Sequence, residues 1–101
     1  MFYKKNRYIT RGINEKLDIR LQILLWDLID SLKEKNQELD YLQVFNIGNK
    51  DKEIVIEHSQ EVPKYKAKYG LNNDEIIFQG NIKVFVIDDT EHSTMMLAEE
   101  Y

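Results

Sequence analysis

Cysteine is missing from this 101-residue chain, so it can form no disulfide, no thiolate metal site and no thiol nucleophile. One proline and four glycines are its only strong breakers, and hydrophobic residues make up 43% of it, a composition that folds rather than staying disordered. No apolar run approaches the ~20 residues of a membrane span. The opening MFYKKNRYITRG lacks the apolar centre of a secretory signal. Phosphate-cradling glycine loops are absent, as are the glycines of a nucleophile elbow. The expectation is a cytoplasmic, soluble protein forming a single domain over residues 1–101, a length at which one core buries about two-thirds of the extended surface.

Charge is present and uneven. Net charge is −4, yet residues 1–20 hold six Lys or Arg against two acids, and residues 71–101 hold one Lys against seven acids. Either the two ends lie side by side and neutralise one another, or they form a dipolar surface.

From Leu17 to Leu32 the apolar residues follow a helical period. Leu17, Leu21, Leu24, Leu25, Leu28 and Leu32 fall within an arc of roughly 100°, the width of a core-facing stripe. Asp18 is placed to cap this helix, which fades near Lys35 and Asn36 with Lys33 and Lys35 suited to its negative end. Ile19, Ile23 and Trp26 lie nearly opposite the leucines, with Asp30 beside them. A helix that is apolar on two sides is covered twice by its own chain or awaits a partner. Cover here would come from residues 1–6 and 64–80. Otherwise Ile19, Ile23 and Trp26 are an interaction surface for a homodimer or a foreign protein, a role that tryptophan favours.

The remaining segments read mainly as strands. Arg7–Ile13 alternates and is taken as a strand that Gly12 bends or ends. Tyr41–Ile47 is a strand with Tyr41, Gln43, Phe45 and Ile47 on one face and Leu42 and Val44 on the other. Gly48–Asp51 supplies turn residues, and Glu53–His58 returns as a hairpin whose His58 ends at the surface. Pro63 blocks pairing on an interior strand. Lys64–Tyr69 extends as an edge strand, and Gly70–Asp74 is a turn. Ile76–Phe78 and Ile82–Ile87 are two apolar runs, with Gly80 as a bulge or a turn between them. The tail either closes a hairpin through Asp88–His92 with Ser93–Glu99 returning, or caps a short helix at Ser93 or Thr94. The hairpin is preferred because a chain leaving Ile87 needs a turn. The sum is an α+β fold: an antiparallel sheet of four to six strands with one long amphipathic helix on one face.

Asp88, Asp89, Glu91 and His92, with Arg11, form the polar cluster best suited to chemistry, either a divalent cation site or an acid–base pair. Their spacing matches no specific metal motif. A solvated turn in which Asp88 or Asp89 takes local backbone N–H groups is the favoured reading. His92 and Ser93 are adjacent, so on an extended chain they point to opposite faces and cannot form a triad. Lys64, Lys66 and Lys68, interleaved with Tyr65 and Tyr69, have the pattern of a weak nucleic-acid patch. Lysine protection of a sheet edge explains them better in an acidic chain.

Several phrases occur together: Arg7-Tyr8-Ile9-Thr10-Arg11-Gly12, Leu21-Gln22 with Leu25-Trp26, Leu39 through Phe45, Gln60-Glu61 with Pro63 and Tyr65, and Val86 through Tyr101. With them the chain resembles, over nearly its whole length, the small cytosolic proteins grouped as domain of unknown function 960, from low-GC Gram-positive bacteria and their phages. The resemblance implies a single cytosolic domain and transfers no catalytic residue and no cofactor. A non-enzymatic interaction or regulatory module is therefore the leading expectation. A small metal-dependent or acid–base enzyme using Asp88–His92 is the alternative, and a nucleic-acid-binding accessory protein ranks third.

Overall fold

Strict alternation in the middle of the chain produces a sheet with two different faces. A computed structural model describes residues 1–72 and 74–101. In chain order its elements are β1 (Arg7–Ile9), α1 (Arg11–Lys16), α2 (Ile19–Glu34), β2 (Leu42–Lys50), β3 (Glu53–Gln60), β4 (Tyr65–Leu71), β5 (Ile82–Asp88), β6 (Ser93–Leu97) and a closing 3-10 turn at Ala98–Glu100. The six strands form one sheet in the order β1-β6-β5-β2-β3-β4. Every pairing is antiparallel except β1 with β6, which is parallel and joins Arg7 to Ser93. The fold is α+β with a mostly antiparallel sheet. No helix among the described residues is long and apolar enough to cross a membrane.

Helix α2 begins where expected, with the Asp18 carboxylate accepting from the Arg20 backbone N–H at 2.8 Å. Arg20 also clasps that carboxylate, and the two interactions hold Asp18 down at about 2. The buried stripe is Leu21, Leu25, Ile29 and Leu32, reached from Leu17 ahead of the helix. Leu24 and Leu28 are only half-buried at its flank, because Ile29 occupies the central i+4 position. Leu21, Leu25 and Ile29 share one buried cluster with Phe45, Ile47, Ile54, Ile56, Val84, Val86, Met95 and Leu97.

Residues Arg7–Ile13 do not form one strand. Thr10 Oγ1 accepts from the Ile13 N–H, which caps a short helix and ends β1 at Ile9. Arg11 pairs with Glu15 one turn later at 3.1 Å. Gly12 therefore sits in the first turn of α1 and does not bend a strand. A Cβ there would come within 2.7 Å of the Glu100 carboxylate, which accepts from Gly12 N–H and from Thr10 Oγ1. The protein thus has a second, short helix besides the long one.

The β2–β3 hairpin turns later than expected. Its register runs to Lys50 opposite Glu53, and Asp51 and Lys52 both take positive φ, the geometry of a two-residue I′ turn. Gly48 and Asn49 stay in the strand. Gly70 and Leu71 belong to β4 and not to a turn, and the turn expected through Asn73 lies outside the described residues. Ile76–Phe78 forms no strand: Ile76 is buried and Ile77 is 87% exposed. The tail closes as a hairpin, with Asp88 opposite Ser93.

Cation and carboxylate ends of the chain do meet. Lys16 pairs with Glu99 at 3.4 Å and Arg20 with Glu75 at 3.2 Å.

Adjacent residues of β3 point to opposite faces, so they should differ in cost. Ile56→Ala removes a fully buried side chain and is expected to cost about 2–4 kcal/mol in urea unfolding, whereas Val55→Thr should stay within about 0.5 kcal/mol. Equal losses would contradict the two-face assignment.

Candidate functional site

The acidic hairpin end is the natural place to look for chemistry, and its carboxylates are occupied by the backbone. Asp88 Oδ1 accepts from the Phe2 N–H at 3.1 Å and Oδ2 from the Thr90 N–H at 3.2 Å. Asp89 Oδ1 accepts from the N–H groups of His92 and Glu91, bonds that lower its pKa, and Oδ2 meets His92 Nε2 at 3.0 Å. Glu91 is exposed. Arg11 pairs with Glu15 on α1, its side chain 90% exposed. These contacts are those of a bonded turn. Among the described residues no group of three potential ligands is arranged to hold a metal ion.

The Lys64–Tyr69 segment is the sheet's outer strand. Lys66 and Lys68 are exposed, while Tyr65, Ala67 and Tyr69 are half-buried. Lys66 approaches Glu57 of the neighbouring strand at 3.5 Å. Burial and the Tyr69 hydroxyl push the Tyr65 phenol up to about 12.

His58 is fully buried and does not end at the surface. Two residues beyond Ile56, it shares the face of Ile54 and Ile56, a parity the sequence already contains. It stacks on Phe45 at 4.3 Å and meets Tyr65 edge-on. Gln43 Nε2 donates to Asp40 O and to Gln60 Oε1, so Gln43 Oε1 faces His58 Nε2 at 2.6 Å as an acceptor. The imidazole therefore carries its proton on Nε2. Nδ1 is left buried without a partner, and burial lowers the pKa to about 4. A charged imidazole would have nothing to receive its second proton.

The second stripe of α2 divides. Ile19 and Ile23 are 61% and 54% exposed. Trp26 is half-buried under the Arg7 guanidinium, 4.7 Å from its ring centre. Arg7 is held there by both oxygens of Asp30, at 2.5 and 3.1 Å, and by the carbonyls of Phe2 and Tyr3. The N-terminal segment thus covers one member of the stripe and leaves two open.

The sheet's other face is the largest feature that sequence reasoning passed over. Leu42, Val44, Val55, Phe85, Ile87 and Met96 alternate with core residues and lie outside the buried cluster. Registers bring them together: Leu42 is opposite Ile87, Val44 opposite Phe85, and Phe85 opposite Met96. Tyr101 lies edge-on to Phe85 at 5.6 Å, and Tyr8 edge-on to His92. Lys83, Lys68 and Lys50 stand at the far end with Asn46 and Glu57, beside a shallow groove of about 470 Å³. Antiparallel sheets usually turn polar residues outward. Here five of the outward positions of β2, β5 and β6 are apolar, gathered at one end as Leu42, Val44, Phe85, Ile87 and Met96. The signal was present in the second apolar set of β2, Leu42 and Val44.

Comparisons with known proteins agree with this architecture. The family model DUF960, described as a staphylococcal protein of unknown function, matches residues 6–100. A crystal structure of a protein of unknown function from Enterococcus faecalis is similar with a TM-score of 0.83 and 24% identity, covering 99% of this chain and 94% of that one. At that identity the likeness establishes the fold. No curated protein matches the chain.

Two outcomes follow. His58 binds its proton less readily folded than unfolded, so its contribution is complete above about pH 6.5 and is lost as the pH falls toward 4. The loss amounts to about 3 kcal/mol, and thermal melts of His58→Gln should lack that part of the slope. Separately, Arg7→Ala should red-shift Trp26 emission and raise its quenching by acrylamide, whereas Ile23→Ala should change neither.

Proposed function

We propose that this protein, which belongs to the DUF960 family, is a non-enzymatic protein-interaction module acting in the cytoplasm. The observation that carries this reading is the second apolar sheet face formed by Leu42, Val44, Phe85, Ile87 and Met96, outside the core cluster and bordered by lysines. An apolar patch with a polar rim costs solvation free energy in water and recovers it on contact with another surface. Ile19 and Ile23 on α2 offer a smaller second contact, with Trp26 at its border under Arg7.

The enzymatic alternative has less support. Asp88 and Asp89 are committed to backbone N–H groups, and Arg11 is paired on a different element. A nucleic-acid role is weaker again, because Lys66 has a carboxylate neighbour on the adjacent strand.

Photo-reactive residues placed singly at positions 44, 85, 96 and 23 test the reading in a cell extract. Covalent polypeptide adducts should form at 44, 85 and 96, and more weakly at 23, with none at exposed Asn14 on α1. Adducts no more frequent at 44, 85 and 96 than at 14 would overturn it.

A further inference from the structure

We propose that the groove at the far end of the outer sheet face binds a phosphate monoester of a small hydroxylated molecule. The site lies beyond the apolar patch and does not depend on it. Two glycines make the groove. On this face β2, β3 and β4 bring Gly48, Val55 and Gly70 into one row, in which Val55 alone carries a side chain. One neighbouring row is Lys83, Asn46, Glu57 and Lys68, drawn in turn from β5, β2, β3 and β4. On the other side Lys50 stands opposite Glu53. The space between measures about 470 Å³, within the ~300–1,000 Å³ typical of small-molecule sites. A Cβ at position 48 would come within 2.5 Å of Asn81 Oδ1, so glycine there keeps room for the Asn81 amide at the rim.

The donors around this space are unused. The three arginines, Lys16 and Lys66 have carboxylate partners. Among the described residues Lys50, Lys68 and Lys83 have none, although acids outnumber basic residues 18 to 14 in the chain. Glu57 stands opposite Lys68 but turns to Lys66, at 3.5 Å. The Lys83 ammonium lies 5.8 Å from the Phe85 ring, at the outer limit of a cation–π contact. The side-chain amides of Asn46 and Asn81 make no hydrogen bond among the described residues. Lys50, Lys66, Lys68 and Lys83 against Glu53 and Glu57 leave a local surplus of two positive charges on an acidic protein.

Strand geometry lets three ammoniums meet. With strands about 4.8 Å apart and ~3.3 Å per residue, a point over Gly48 and Val55 lies ~10 Å from the Cα atoms of Lys68 and Lys83 and ~7 Å from that of Lys50. A four-carbon stem, one hydrogen bond and the radius of a tetrahedral anion together span that distance. A phosphate monoester presents three acceptor oxygens, one for each ammonium, and close to two negative charges, which match the surplus. A carboxylate offers fewer oxygens and half the charge. Glu53 and Glu57 at the rim repel a second anionic group and accept from hydroxyls on the body of the ester, which rests on Val55.

Backbone amide shifts of isotope-labelled protein, titrated with glycerol phosphate and with adenosine monophosphate, test the site and separate a sugar-alcohol ester from a nucleotide. At least one ester should move Gly48, Val55 and Lys83 and saturate by about 10 mM, whereas glycerol and adenosine should move none of them. Lys68→Gln and Lys83→Gln should each weaken binding on the order of tenfold, the loss of one charge-assisted hydrogen bond. Lys35→Gln, at the end of α2, should leave it unchanged, and the same spectra show that each variant is folded. Shifts as large at Lys4, Lys5 and Lys35 as in the groove overturn the site, as does failure of both esters to saturate. A thymidine oligonucleotide that moves the groove amides at a tenth of the ester concentration would overturn the small-molecule ligand in favour of a nucleic-acid strand.

Discussion

One long helix cannot cover two faces of a sheet. The six strands carry apolar side chains at both parities in β2, β5 and β6, while α2 contributes to a single buried cluster drawn from one of those parities. Everything else in the molecule is arranged around that limit. The core face gathers Phe45, Ile56, Val84, Val86 and Met95, all shielded from solvent. The other face keeps its valines, leucine and phenylalanine half in water.

The N-terminal segment works as a strap across the sheet's closing edge. Asp88 accepts from Phe2, Asn6 O accepts from Ser93, and Arg7 reaches Asp30 on α2 over the Trp26 ring. Each contact joins residues far apart in the chain, and each uses a polar group that would otherwise sit half-buried without a partner. The same economy governs the interior. Gln43, Gln60 and His58 form a chain of hydrogen bonds whose directions are fixed by the amides, leaving a single orphan nitrogen at the imidazole.

Local chemistry made α2 and both hairpins legible. Asp18 ahead of a 3.6-residue period, and alternation in Leu42–Ile47 and Ile82–Ile87, point to elements that the structure contains. Competing local signals divide: the tail's turn after Ile87 makes the expected hairpin, while two polar residues mislead. RYITRGI alternates like a strand, but Thr10 is a better cap than a strand residue, because its hydroxyl satisfies Ile13 N–H and reaches Glu100. His58 looked like a polar strand end, though two-residue spacing from Ile56 already assigned it to the core. The parallel pairing of β1 with β6 had no local signature at all. The polar cluster was legible as a turn, with Asp88 and Asp89 on backbone N–H groups, whereas Arg11, grouped with it, pairs with Glu15 on α1.

That parallel pairing also orders events during synthesis. Strand β1 is made well before its partner β6, with Arg7 waiting for Ser93 and Ile9 for Met95. The hairpins between them need only neighbours close in sequence and can form early. The sheet is completed, and its outer face takes final shape, only after β6 has emerged. Until β6 is made, β1 has no strand to pair with and β5 keeps one open edge.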